Sequence, residues 1–283
     1  MSRMPDGPPP PPVVQRVRFR YAKRSRLRFT SHRDFARAFE RALRRADVPM
    51  AYSAGFSPHP KVSYVGASPT GVASEAEYLE IGLDREVDVE QLRVALDRAL
   101  PPGLDLLDAV ASTGGSLPER IDASEWEIAL PGVDPSQAQS AVTALLAAET
   151  VPVERRTKSG LRTIDVRSAL VSAVVTGEVS AAAETGTDPS TGVTGGRPGV
   201  STAVDGSPCA IITCVVRHST PAVRPDDFLT GLRHVVASAD LDPAEFAAPP
   251  RATRLAQGAL TAEGRIVDPL DADRGGAVIG APT

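Results

Sequence analysis

From Val13 onward, polar and apolar positions alternate. Val13, Gln15, Val17, Phe19 and Tyr21 fall on one side, and Arg16, Arg18 and Arg20 on the other. A period of two predicts a strand with one basic face. The period then changes. Phe35, Ala38, Phe39, Ala42, Leu43 and Ala46 recur at helical spacing behind Thr30 or Ser31 as N-cap, with Asp34 in the first turn. This predicts an amphipathic helix of about four turns with arginines away from its apolar stripe. Pro49 ends it, and Met50 to Ser53 and Lys61 to Gly66 read as short extended pieces. Ala76 to Leu83 alternates as a strand, Val89 to Leu100 is helical with Leu92, Leu96 and Leu100 on one face, and Leu104 to Val110 returns as a strand.

A weaker second copy of this order follows. Glu125 to Leu130 alternates, Pro135 to Ala148 is helical behind Asp134, and Val151 to Arg156 with Leu161 to Val166 form a hairpin. Cys209 to Arg217 is an apolar strand, and Asp226 to Ala237 is a helix after Pro225. The expected fold is α+β, with two ferredoxin-like (split βαβ) lobes built on antiparallel sheets. The expected boundaries are a leader over 1–12, a first domain over 13–115 and a second over 122–250. Gly, Thr, Ser and Pro dominate the second domain's interior, predicting a disordered insertion over 180–208, and a flexible tail is expected over 264–283.

Composition narrows the classes. Of the 283 residues, 42% are hydrophobic and 23% charged, ordinary values for a globular chain. No apolar run approaches the roughly eighteen residues of a membrane span. Met1 to Pro12 lacks the apolar core of a signal peptide, and two cysteines make no disulfide framework, so a cytoplasmic setting without a membrane is expected. The net charge of −4 hides an asymmetry: Val13 to Lys61 carries thirteen Lys and Arg against three acids, a local +10. Such a field favours an anionic partner; a solvated arginine-rich face is the competing reading.

Several residues are candidates for chemistry. Gly55 to Lys61 is a loop in which Pro58 and Pro60 brace His59, the candidate proton carrier or phosphate partner, beside Ser57 and Lys61; a packed turn is the alternative. Arg26, Arg28, Ser31, His32 and Arg33 surround a helix N-terminus, where backbone N–H groups favour anions; capping by Ser31 with solvated charges around it is the competing reading. Arg37 extends that basic face. Glu75, Glu77 and Glu80 read as salt-bridge partners for the arginines of the first helix, with acid–base chemistry by paired carboxylates as the weaker alternative. Arg156 and Lys158 belong to a second basic hairpin that suits phosphate contact or plain exposure. Cys209 and Cys214 lie in one predicted strand, facing opposite sides. With two cysteines and no CxxxCxxC triplet, the chain lacks the three thiolates that would hold a radical-type iron–sulfur cluster. Aromatic residues make up only 4% of the chain, which gives little support to a base-stacking platform.

Three segments carry a resemblance. They are Arg26 to Asp34 with Phe39 to Ala46, Ala51 to Lys61 (AYSAGFSPHPK), and Ser68 to Tyr78 (SPTGVASEAEY). In this order and spacing the chain resembles the radical SAM-associated domain of unknown function, which is fused C-terminally to cobalamin-binding radical SAM proteins or stands alone. The third segment begins Ala67-Ser68-Pro69-Thr70 where the family has a Pro-Leu-Pro-like start. The resemblance implies an accessory substrate-binding module for a radical SAM protein. No cofactor is expected in this chain, S-adenosylmethionine and the iron–sulfur cluster being implied only for the partner. With the basic segment, RNA or another anion is the expected substrate. A metal-free RNA-processing or transferase-like enzyme using His59, and a protein–protein adaptor, are the alternatives.

Overall fold

The computed structural model describes residues 11–54, 56–157, 160–176, 209–238 and 249–274. The proposed insertion over 180–208, most of the leader, the end of the tail and Lys158 lie outside the described residues. The protein is a mixed α/β chain with mostly antiparallel strands, and it divides into two compact units, Met1–Asp122 with Arg254–Thr283, and Ala123–Thr253. Among the described residues, no helix is long and apolar enough to cross a membrane.

The first unit runs β1 (Gln15–Lys23), a 3-10 turn (Ser25–Phe29), α1 (His32–Arg45), β2 (Val62–Val65), β3 (Ala73–Leu83), α2 (Val89–Ala99) and β4 (Leu106–Ala111). β1 lies between β4 and β3, antiparallel to both. β3 is long enough to share its other edge between β2, opposite Tyr78–Ile81, and a late strand, β10 (Arg251–Leu260). Val17, Phe19 and Tyr21 face α1 and α2, where they join Phe35, Phe39, Leu43, Leu92 and Leu96 in one buried cluster. The stacked rings of Tyr21 and Phe35, 4.3 Å apart and nearly parallel, fix the start of α1 on the sheet.

The opposite sheet face is covered as well, by residues read above as a loose tail. β11 (Ile266–Val267) pairs with β10, and α6 (Asp271–Arg274) follows. Leu270 is fully buried with Val65, Ala76, Tyr78, Leu117 and Ile121. Leu270 and Asp273, where a flexible tail was expected, are thus buried in the first unit, and β10 falls in a stretch to which the sequence pattern assigned no element.

The second unit contains β5 (Ala123–Pro131), α3 (Pro135–Ala147), the hairpin of β6 (Pro152–Thr157) and β7 (Gly160–Asp165), the single turn α4 (Val166–Ala169), β8 (Leu170–Val175), β9 (Cys209–Arg217) and α5 (Pro225–Ser238). β9 lies between β5 and β8, antiparallel to both. α3 opens with a full capping box between Asp134 and Gln137, and its small face of Ala138, Ala141, Val142 and Leu145 is completely buried. Cys209 and Cys214 are free and buried; burial pushes the Cys214 thiol up to about 12.

Candidate functional site

The basic segment separates into two populations. On β1, Arg18 sits directly opposite Glu80 of β3 and is fully buried. Its guanidinium donates to Glu80 Oε2 at 2.8 Å, to Asp273 at 2.9 and 3.2 Å and to the Gly115 carbonyl. Arg16 pairs with Glu80 at 3.0 Å, Arg20 with Asp268 at 3.0 Å, and Arg24 with Glu75 and Asp105. Lys23 is buried and donates to the carbonyls of Ser68 and Pro69. Burial pulls its ammonium below the ordinary lysine range, with Glu77 opposing and Arg254 adding to the shift. Arg18 and Lys23 are thus interior, while Arg16 and Arg20 reach the surface with their charges matched by acids. The acidic cluster does form salt bridges, but not with the first helix: Glu75 and Glu80 take β1 and its flank, and Glu77 takes Arg254 at 3.1 Å. The reason is register, since strands β1 and β3 are neighbours and α1 lies over the other sheet face.

α1 carries the second population. Ser31 caps it, accepting from the Asp34 amide at 3.2 Å and donating to the Asp34 carboxylate at 2.6 Å. The helix N-terminus is therefore occupied by its own carboxylate, which disfavours an anion there. Arg33, Arg37, Arg41 and Arg44 are all exposed. At 3.6 residues per turn they fall within an arc of about 80°, opposite the buried stripe, and span about 16 Å of helix. Among the described residues, none of these four, nor Arg26, Arg28 or Lys61, makes an ion pair. Arg28 instead stacks over the exposed ring of Phe29, 4.7 Å from its centroid. His32 is exposed and meets Tyr64 edge-on, with ring centroids 5.0 Å apart.

The helix ends in a Schellman arrangement, with Val48 N–H donating to the Leu43 carbonyl at 3.0 Å and Asp47 N–H to Arg44 at 3.3 Å. Asp47 takes the left-handed conformation, φ 49°, usually left to glycine. This turn brings Val48 over Leu43 and sends the chain back along β3, where Ala51 N–H donates to the Gly82 carbonyl. The loop that follows is tied at its neck: Ser53 N–H donates to His59 O at 2.9 Å, and His59 N–H to Ser53 Oγ at 3.0 Å. His59 and Ser57 are exposed on it. Between this loop and the second half of α1 lies a groove of about 250 Å³. Leu43, Val48 and Met50 contribute its apolar lining, and Glu40, Arg44, Tyr52 and His59 its polar one.

The three motif segments all lie in the first unit. Gly71 N–H donates to the Arg28 carbonyl at 2.8 Å, joining the third segment to the first, and Ser68 N–H donates to buried Glu77. Residues 16–225 match the family described as "Uncharacterized protein conserved in bacteria (DUF2344)". The chain belongs to this family. The family match runs from β1 to the first residue of α5, and so takes in α1, the groove and all three motif segments. No curated protein matches the sequence.

Of the residues expected to act together, the first unit holds Arg26, Arg28, Ser31, His32, Arg33, Arg37, Ser57, His59 and Lys61. Arg156 is exposed on β6 of the second unit, beside Arg155, which is held by Asp227. Sequence reasoning did not single out Glu40, Arg41, Arg44, Tyr52 or Phe56 as site residues. The spacing 33, 37, 41, 44 was available as a signal for the stripe. Exposure of Tyr52 (44%) and Phe56 (76%) was not, because nothing local distinguishes them from core aromatics.

Proposed function

We propose that this protein is a substrate-binding module that holds single-stranded RNA along α1 and presents it to a radical SAM protein. The observation that carries the RNA part is the exposed stripe Arg33, Arg37, Arg41 and Arg44, cationic and without ion-pair partners among the described residues, in a unit whose β1 arginines are all paired with acids. A protein that spends acids on every β1 arginine and leaves these four open keeps them for an external anion. Exposed Phe29, Tyr52 and Phe56 lie in the same basic segment, the pairing of charge and aromatic surface that suits unstacked bases. The order β4-β1-β3-β2 with two helices supports reading the first unit as a ferredoxin-like lobe. Strands β5, β9 and β8 with α3 and α5 support a second lobe of the same type. The radical SAM partner, with its S-adenosylmethionine and iron–sulfur cluster, rests on the resemblance of the three motif segments.

The test is binding of the purified protein to total cellular RNA over a salt series, with the retained species sequenced. Affinity should fall steeply with salt. The variant Arg33→Ala/Arg37→Ala/Arg41→Ala should lower the slope of log K against log salt by about 2, at roughly 0.7 per contact on a single strand. A variant that binds like the parent removes α1 from the interface, and no retention at low salt removes RNA. The partner is tested separately, by co-elution with a radical SAM protein carrying CxxxCxxC.

A further inference from the structure

We infer that the groove between α1 and the Tyr52–Pro60 loop is a subsite for one unstacked nucleobase bearing an exocyclic amino group, set beside the phosphate-contacting stripe. This deepens the RNA reading above and rests on it. Four observations lead there. The groove, at about 250 Å³, is smaller than the roughly 300–1,000 Å³ of sites for drug-sized ligands, and so suits a single ring system. Its lining combines buried Leu43 and Met50 with Tyr52, a residue 44% exposed, which offers an apolar floor and a stacking surface. Arg44 belongs both to the groove and to the stripe, so a strand whose phosphates follow α1 passes the groove mouth.

The fourth observation concerns Glu40. It stands among arginines on the helix surface, with Arg37 three residues before and Arg44 four after, yet it makes no ion pair among the described residues and lines the groove. A carboxylate in the groove repels phosphate, so the backbone stays on the stripe and an uncharged part of the ligand enters. A carboxylate only accepts hydrogen bonds, and the amino groups of cytosine, adenine and guanine supply donors for it. Uracil offers no amino group. His59, exposed on the facing loop and braced by its two bonds to Ser53, supplies a second polar contact from the other wall.

The experiment compares labelled oligomers of one length: oligo(rC), oligo(rU) and an abasic ribose-phosphate chain. The parent should bind oligo(rC) about tenfold to a hundredfold more tightly than the abasic chain, the range for a stacked base, and more tightly than oligo(rU). Tyr52→Ala should bring oligo(rC) down towards the abasic chain while leaving the salt slope unchanged. Tyr52→Phe, which keeps the ring, should retain most of the affinity and guards against a loop that has simply misfolded. Glu40→Gln should erase the preference for C over U. Equal parental affinity for the abasic chain and oligo(rC), or an unchanged preference in Tyr52→Ala and Glu40→Gln, overturns the subsite and leaves the stripe intact. Failure of the parent to bind any oligomer at low salt overturns the RNA reading itself.

Discussion

Asp273 is the residue on which the first unit's inner charge balance turns, and replacing it by alanine has a calculable consequence. Its carboxylate, fully buried, accepts from Arg18 at 2.9 and 3.2 Å, from Arg120 at 2.8 Å, and from the Thr113 amide and hydroxyl at 3.0 and 2.9 Å. Asp273→Ala leaves the fully buried Arg18 with Glu80 and a carbonyl, and one of its charged edges empty. Removing one partner of a buried ion pair costs about 3–5 kcal/mol, because the other charge stays desolvated. With an m-value of about 2 kcal/mol/M, the urea midpoint should fall by roughly 2 M. The chain has its own reporters: all four tyrosines lie in the first unit and the one tryptophan, Trp126, in the second. Near-UV tyrosine dichroism should show the shift. Asp271→Ala, which breaks a half-exposed pair with Arg274, should move the same signal by less than about 1 kcal/mol. Burial would raise the Asp273 carboxyl, but the Thr113 amide, Arg120 and Arg18 together hold it below the usual value. A depressed carboxyl stabilises the fold fully above the unfolded value, near ~3.9, and loses that contribution as pH falls through the folded one. The gap between parent and variant should thus be full at pH 7 and close in strong acid. A tyrosine transition that moves by less than about 0.25 M, equivalent to about 0.5 kcal/mol, would refute the argument.

Ser31→Ala should cost about 1 kcal/mol in chemical denaturation through loss of the cap, with RNA affinity unchanged, since Asp34 already occupies the helix end. Gly258→Ala should destabilise the first unit by upwards of about 3 kcal/mol, because its Cβ would lie 1.9 Å from the Val267 carbonyl oxygen; a soluble variant with parental melting would contradict the β10–β11 pairing. Neither Cys209 nor Cys214 should react with a thiol reagent at pH 8 until denaturant is added, both thiols being buried and raised by burial; rapid labelling of the native protein would show that the β9 core opens.

The helices were legible because their signals are local. Ser31, Asp34 and the apolar spacing placed α1 to within a residue, and Asp134 did the same for the start of α3. β1, β3, β5 and β9 were legible from alternation or apolar runs. β8 and β10 were not. Leu170–Val175 and Arg251–Leu260 lack strict alternation, and β10 contains Arg254, Gln257 and Gly258, which read as loop residues. Arg254 and Gln257 are buried there because Glu77 and the Ala76 carbonyl meet them from 177 and 181 residues away. The low share of aromatics misled in the same way: composition counts rings and does not say that Phe29, Tyr52 and Phe56 face outward.

The chain by itself determined that a strongly basic segment ends in an amphipathic helix and a proline-braced loop, because period, caps and charge are properties of neighbours in sequence. Which of its thirteen cations remain available for a ligand was decided only in three dimensions. Arg18 and Arg33 look alike along the chain. One faces Glu80 across a strand pair and Asp273 from 255 residues away, and the other faces water. Free charge is what remains after distant segments have met, and no local pattern encodes that meeting.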